Sequence, residues 1–259
     1  MDGSHRLPPW CIGRNPNPRA FHSAGGHIEA LGMIWRHNSS TRMTRTAFRE
    51  FLHWFDALLQ GRKVVLVLDT LSAQRVLVSN SQSFSQDSRS LGLKNMIIIR
   101  LPTSCTDAYH RLKQEITGIW KTYYRRHWIQ HVCNQLSAHK NPLTTMNVMK
   151  AVQWACCAWY LHVSPKNIRN CFGRSGCLGL ATEDQADEGE AELREAKQQL
   201  QSAIEQLERM LFIHEAMEID TFINPPFESS EKAWIEEEQI STIPSSVEVP
   251  EGDSDEEVE

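Results

Sequence analysis

The chain has 259 residues, 41% of them apolar, and a net charge of −5, which allows one sizeable core with appendages. No apolar run approaches the roughly 18 residues that a membrane span needs, and no charged-then-apolar leader opens the sequence. The expectation is therefore a protein kept on the cytosolic side, with seven cysteines held as reduced thiols rather than a disulfide framework.

The small net charge hides two opposed halves. Residues 183–259 hold 24 acids against four bases, a net of −20, whereas residues 1–182 hold 23 bases against eight acids, a net of +15. A basic globular part joined to an acidic appendage points to polyanion contact at one end and charge competition or partner binding at the other. The plainer alternative is a solvated surface with a solubilising tail.

In chain order, residues 1–46 are rich in turn formers: "LPPWCIGRNPNPRAF" carries Pro8, Pro9, Gly13, Pro16 and Pro18. Residues 28–35 are predicted as a short strand. Thr44 reads as the N-cap of a helix on which Phe48, Phe51, Leu52, Phe55 and Leu59 recur at helical spacing up to Gly61. Glu50 and Asp56 fall off that stripe. Residues 64–68, "VVLVL", then run unbroken into Asp69, and such a run reads as a strand buried in a parallel sheet. Residues 79–92 form a polar, Ser-rich loop. A second buried strand is expected in "NMIIIRLP", residues 95–102, closed by Pro102.

From about Asp107 the pattern is helical. Leu112, Ile116, Ile119, Trp120 and Tyr123 make an apolar stripe, and the same helix carries "KTYYRRHW", residues 121–128, with Lys121, Arg125 and Arg126 among aromatics. A further helix is predicted over residues 145–159. Ser164 as N-cap and Pro165 at the first helical position open a third, ending near Gly173 or Gly176. Residues 190–219 read as a long separate helix, with Leu193, Leu200 and Leu207 seven apart and Ala196, Ala203 and Met210 likewise. A little over two heptads suits a packed amphipathic helix as well as a short coiled coil. Beyond Pro225-Pro226 the acidic tail cannot bury enough apolar surface to order itself.

An acid at the carboxyl end of a buried strand is a common place for a metal or substrate, which singles out Asp69. Two-metal phosphoryl transfer needs several carboxylates converging on divalent ions roughly 3.5–4 Å apart. The basic half holds only Asp2, Glu29, Glu50, Asp56, Asp69, Asp87, Asp107 and Glu115. Of these, Asp69 has Asp107 or Glu115 as its only and poor companions, so three converging carboxylates are not expected. His127 and His131, four apart on one helical face, invite zinc, but no fourth ligand follows at a recognisable spacing. Packed histidines beside tryptophans are the expected reading. No CxxC pair, glycine-rich phosphate loop or GxSxG elbow occurs. The segment 121–128, with Lys166, Arg169 and Arg174 downstream, has the composition to grip phosphates and stack on bases. An amphipathic helix with a basic exposed face is the alternative.

The order of segments is more specific than any one of them. "LPPWCIGRNPNPRAF", "RMTRTAFREFLHWFDALLQGRKVVLVLD", "NMIIIRLP", "IWKTYYRRHW" and "VSPKNIRNCFGRSG" together resemble the DDE superfamily endonuclease domain. More narrowly, they resemble the pogo/Tigger/Fot branch of the mariner-superfamily transposases. The resemblance implies an α/β, ribonuclease-H-like fold and an ancestry of metal-dependent DNA cleavage by three acids. Asp69 matches the second acid, with Thr70 and Gln74 where the family pattern has Asn and His. Counting from Leu101-Pro102 and back from Tyr124-Arg125-Arg126 puts Lys113 at the third. The segment of the first acid would precede Asp2.

The resemblance thus implies a partial DDE domain over residues 1–176 that lacks its first strands. A linker at 177–189, an amphipathic helix at 190–219 and an acidic tail at 220–259 follow it. The Asp69 strand would carry an unpaired edge. Asp69 becomes a relic, the ancestral magnesium or manganese is expected to be lost, and no cofactor or metal site remains. The expected protein is a nuclear, transposase-derived one that binds DNA through Lys121, Arg125, Arg126, Lys166, Arg169 and Arg174. The alternatives are a non-catalytic protein-interaction or self-association module acting through 190–219 and the tail, and an enzyme completed by a partner chain.

Overall fold

The computed structural model describes residues 3, 5–23, 28–68, 91–100, 106–174, 186–210 and 217–225. Asp69 and the predicted loop 79–92, except Leu91 and Gly92, lie outside the described residues, as does the tail from residue 226.

Thr44 caps the first long helix as its sequence position requires: its hydroxyl accepts from the Ala47 amide at 3.2 Å. This helix and the short one before it are α1 (Arg19–Ser23) and α2 (Arg45–Leu58). The stripe of α2 buries Phe48, Leu52 and the following Leu59 against Leu68, Met96 and Ile98. Those residues come from two parallel strands, β3 (Val64–Leu68) and β4 (Met96–Arg100), in register from Val64↔Met96 to Leu68↔Arg100.

Alternation along a strand divides its side chains between two faces, and the described residues cover only one of them. Val65, Ile97 and Val67 remain 49%, 45% and 38% exposed. The expectation of strands buried on both faces is therefore corrected. Helix α2 crosses one side, and no described element crosses the other.

Asp56 corrects a second expectation. It lies on the buried side of α2, where its carboxylate accepts from the Lys94 amide at 3.0 Å and the Asn95 amide at 2.7 Å. Asn95 Nδ2 donates back to the Asp56 carbonyl at 3.1 Å. The acid sets the turn into β4, and this polar task outweighs its break in the apolar spacing.

The turn-rich N-terminal stretch hides β1 (Trp10–Gly13), which pairs in parallel with β2 (Ile34–His37). The strand expected at 28–35 begins only at Ile34, because residues Ile28–Leu31 form a 3-10 turn. A side chain at Gly13 would meet the Trp35 ring at 2.3 Å, so the strands approach this closely only with glycine there. The segment before β1 is pinned to a distant part of the chain. Arg6 Nη1 donates to the carbonyls of Trp159, Tyr160 and Val163 at 2.9, 3.2 and 2.6 Å, and Trp159 Nε1 donates to the Leu7 carbonyl at 3.0 Å.

The remaining elements are helical: α3 (Thr106–Ser137), α4 (Val148–Cys157) continued by a π turn over Ala158–His162, α5 (Pro165–Arg174), α6 (Ala186–Arg209) and α7 (Ile219–Ile223). Ser164 caps α5, its hydroxyl accepting from the Asn167 amide at 3.1 Å. Ile119 of α3 packs with Val163 and with Cys171 of α5. Ile129 and Cys133 of α3 pack with Leu200, Ile204 and Leu207 of α6 and Ile223 of α7.

The helix predicted over 190–219 thus starts earlier, taking in part of the predicted linker, and gives way to a turn at Met210. Its heptad positions are spent inside the chain: Leu200 and Leu207 are buried against α3. No helix among the described residues is long and apolar enough to cross a membrane.

Candidate nucleic-acid interface

Helix α3 positions the basic-aromatic segment, and helical geometry sorts its residues by face. Thr122 is fully buried and satisfies its hydroxyl on the Gly118 carbonyl at 2.8 Å. The rings go to intramolecular partners. Trp120 donates to the Ala155 carbonyl of α4 at 3.0 Å and stacks on Tyr124 at 5.3 Å. Tyr123 stacks on His162 at 3.9 Å, with the two ring planes nearly parallel. Trp128 meets Trp154 at 6.2 Å. These rings bind the chain's own elements together, so base stacking by them would require the α3–α4 seam to open.

The cations sit at the margin of the same helix, half-buried, and face the C-terminal helices. Lys121 Nζ donates to Asn224 Oδ1 at 3.1 Å. The Arg125 guanidinium lies 5.6 Å from the centre of the Phe222 ring, within cation–π range. Arg126 lies 5.2 Å from the Tyr123 ring and hydrogen-bonds Gln199 of α6. On α5, which packs on α3, Lys166 and Arg169 are exposed. The side chain of Arg174 lies outside the described residues. Sequence spacing did not single out Arg45 and Arg49, both exposed on α2. Their separation of four residues, opposite Phe48 and Leu52, is the signal that marks them.

Two histidines beside these cations are held toward their neutral forms. Burial first, then the Arg126 guanidinium and His162, hold His127 below the usual histidine range. Burial and Arg126 do the same for His162. His131 takes a different course from His127, its Nε2 lying 3.2 Å from both the Pro142 carbonyl and the Thr145 hydroxyl. The two rings thus serve separate parts of the core.

A divalent metal centre would need converging carboxylates, and the described ones do not fit one. Glu50 is paired with Arg36 at 2.5 Å, and Asp56 is spent on backbone amides. Among the described residues no three His, Cys, Asp or Glu side chains gather into a possible metal site. Asp69 lies outside those residues; Lys113 is a backbone position of α3 whose side chain is not described. No reaction step is derived through a metal.

The comparisons agree with this α/β arrangement. The DDE superfamily endonuclease family matches residues 1–172, and the chain belongs to that family. It is a transposase-derived protein of the pogo/Tigger type. It is 39% identical to CENP-B homolog protein 2 of Schizosaccharomyces pombe over 174 residues, 67% of this chain and 33% of that one. It is 33% identical to ARS-binding protein 1 of the same yeast over 227 residues, 88% of this chain and 41% of that one. With Tigger transposable element-derived protein 4 of Mus musculus the identity is 24% over 178 residues, 68% of this chain and 31% of the other. The chain therefore spans roughly a third to two-fifths of the length of these three relatives. No solved structure matches it.

Proposed function

We propose that this chain is a nuclear, DNA-binding descendant of a DDE transposase that no longer cleaves DNA. Phosphates are gripped by Lys121, Arg125 and Arg126 of α3 together with Lys166, Arg169 and Arg174 of α5. The observation that carries this reading is the sidedness of α3, whose rings turn inward while its three cations line one margin. A relative named as ARS-binding and another named as derived from a transposable element support it. Loss of cleavage is supported by Lys113, a base at the place that the family pattern gives to the third acid. With phosphate contacts dominant and no positioned base-reading element among the described residues, binding by this chain is expected to be weakly sequence-dependent. The alternative, a protein-interaction module, loses the α6 seam as its main surface because α3 already covers it.

A salt titration of duplex DNA affinity tests the reading. Log affinity should fall linearly with log salt, by about 0.9 for each phosphate neutralised. Lys166→Ala with Arg169→Ala should flatten that slope by up to about 2. A flat response in the unaltered chain would overturn DNA binding. Magnesium- or manganese-dependent nicking abolished by Asp69→Asn would overturn the loss of cleavage.

A further inference from the structure

We infer that α7 is an autoinhibitory latch, which occupies the α3 cations that DNA would need and competes with phosphate for them. This inference rests on the DNA-binding reading above and names its regulation.

The contacts are specific. Asn224, immediately after α7, takes the Lys121 ammonium at 3.1 Å. Phe222 of α7 presents its ring to the Arg125 guanidinium at 5.6 Å. Gln199 of the adjoining α6 holds Arg126. Three of the six cations assigned to phosphate are thus engaged by the C-terminal helices. The covering segment also carries the wrong charge for a DNA site: Glu218 is the N-cap residue of α7 and Asp220 lies in its first turn, and Asp220 pairs with Lys197 of α6 at 2.6 Å. Twelve acids and one lysine follow in residues 226–259. A polyanion approaching Lys121 and Arg125 meets a covering segment of like charge, with Glu218 and Asp220, and binding requires that segment to move aside.

The latch is held to the rest of the fold by fewer buried side chains than α6 is. Helix α7 is five residues long, and its hold on the core runs through Ile223 with partly buried Ile219 and Phe222. Its ion pair to Lys197 is solvent-exposed, the kind of bond that salt readily screens. Helix α6, by contrast, is fixed by Leu200, Ile204 and Leu207. The geometry therefore divides into a fixed α6 and a detachable α7. A ligand that prefers the detached state shifts the equilibrium by its differential affinity.

The test uses the full chain and duplex DNA, with affinity read against salt. Phe222→Ala, which changes no charge, should tighten binding about fivefold or more at low salt and steepen the log–log slope by roughly 1 to 2. Asn224→Ala, a substitution at an exposed residue that leaves the core intact, should give a smaller gain in the same direction. Adding Lys121→Ala and Arg125→Ala to Phe222→Ala should remove the gain. Unchanged or weaker binding by both Phe222→Ala and Asn224→Ala would overturn the latch. A gain that survives loss of Lys121 and Arg125 would overturn it as well. In either of those cases, a continuing effect of Lys166→Ala with Arg169→Ala would leave the DNA reading standing. If no variant or salt concentration alters affinity, the DNA reading fails and the latch falls with it.

Discussion

At the scale of single residues, Asp56 joins α2 to the turn before β4. It satisfies two backbone amides of the turn before β4, and a buried amide without a partner is costly. Asp56→Ala should lower stability by about 2–4 kcal/mol, measured by urea denaturation, and Asp56→Asn should recover only part of the loss. A change within experimental error would mean that water replaces the carboxylate. The histidines give a prediction in pH. His127 and His162 bind protons less readily folded than unfolded, so unfolding takes up protons once the pH falls below about 6.5. Their neutral forms contribute fully above that value, and stability declines as the pH drops beneath it. In the variant with His127→Gln and His162→Gln, the decline between about pH 6.5 and 5 should shrink. An unchanged decline would assign it to other groups.

At the scale of elements, α6 is held by what it buries rather than by helix propensity. Leu200 is fully buried in the seam with α3, so Leu200→Ala should cost about 2–5 kcal/mol. Light scattering should find the same molecular mass before and after the change. A shift in mass would mean that the seam joins two chains instead. Caps were legible in the sequence because their chemistry is local: Thr44 and Ser164 each bond an amide three residues on. Strand β1 was not legible, because Pro8 and Pro9 lead into it and it finds its partner 24 residues away, in the pairing of Trp10 with Ile34. The cations of α3 could be placed on a helix by spacing alone. Their engagement by Gln199, Phe222 and Asn224 could not, since those contacts join residues separated by 73 to 103 positions.

At the scale of the whole molecule, the described strands form two separate parallel pairs, β1–β2 and β3–β4. The apolar character of residues 64–68 was plain in the sequence. Which face would meet α2 was not, because that depends on how the helix lies across the strands. The opposition of a basic first part to an acidic second part was equally plain. The structure adds where they meet, on α3, with Lys121, Arg125 and Arg126 at the join.

The pinning of Arg6 to carbonyls near residue 163 has a consequence for the chain during synthesis. A ribosome adding about 5–20 residues per second takes roughly 8–30 s to travel from residue 6 to its acceptors, which lie 153 to 157 residues later. For all that time Leu7 and the strand beginning at Trp10 lack the anchor that orders them, while the α2–β3–β4 unit already has most of its own contacts. The segment around Arg6 is therefore made long before it is secured, and a chaperone acting on the nascent chain has a long opportunity there.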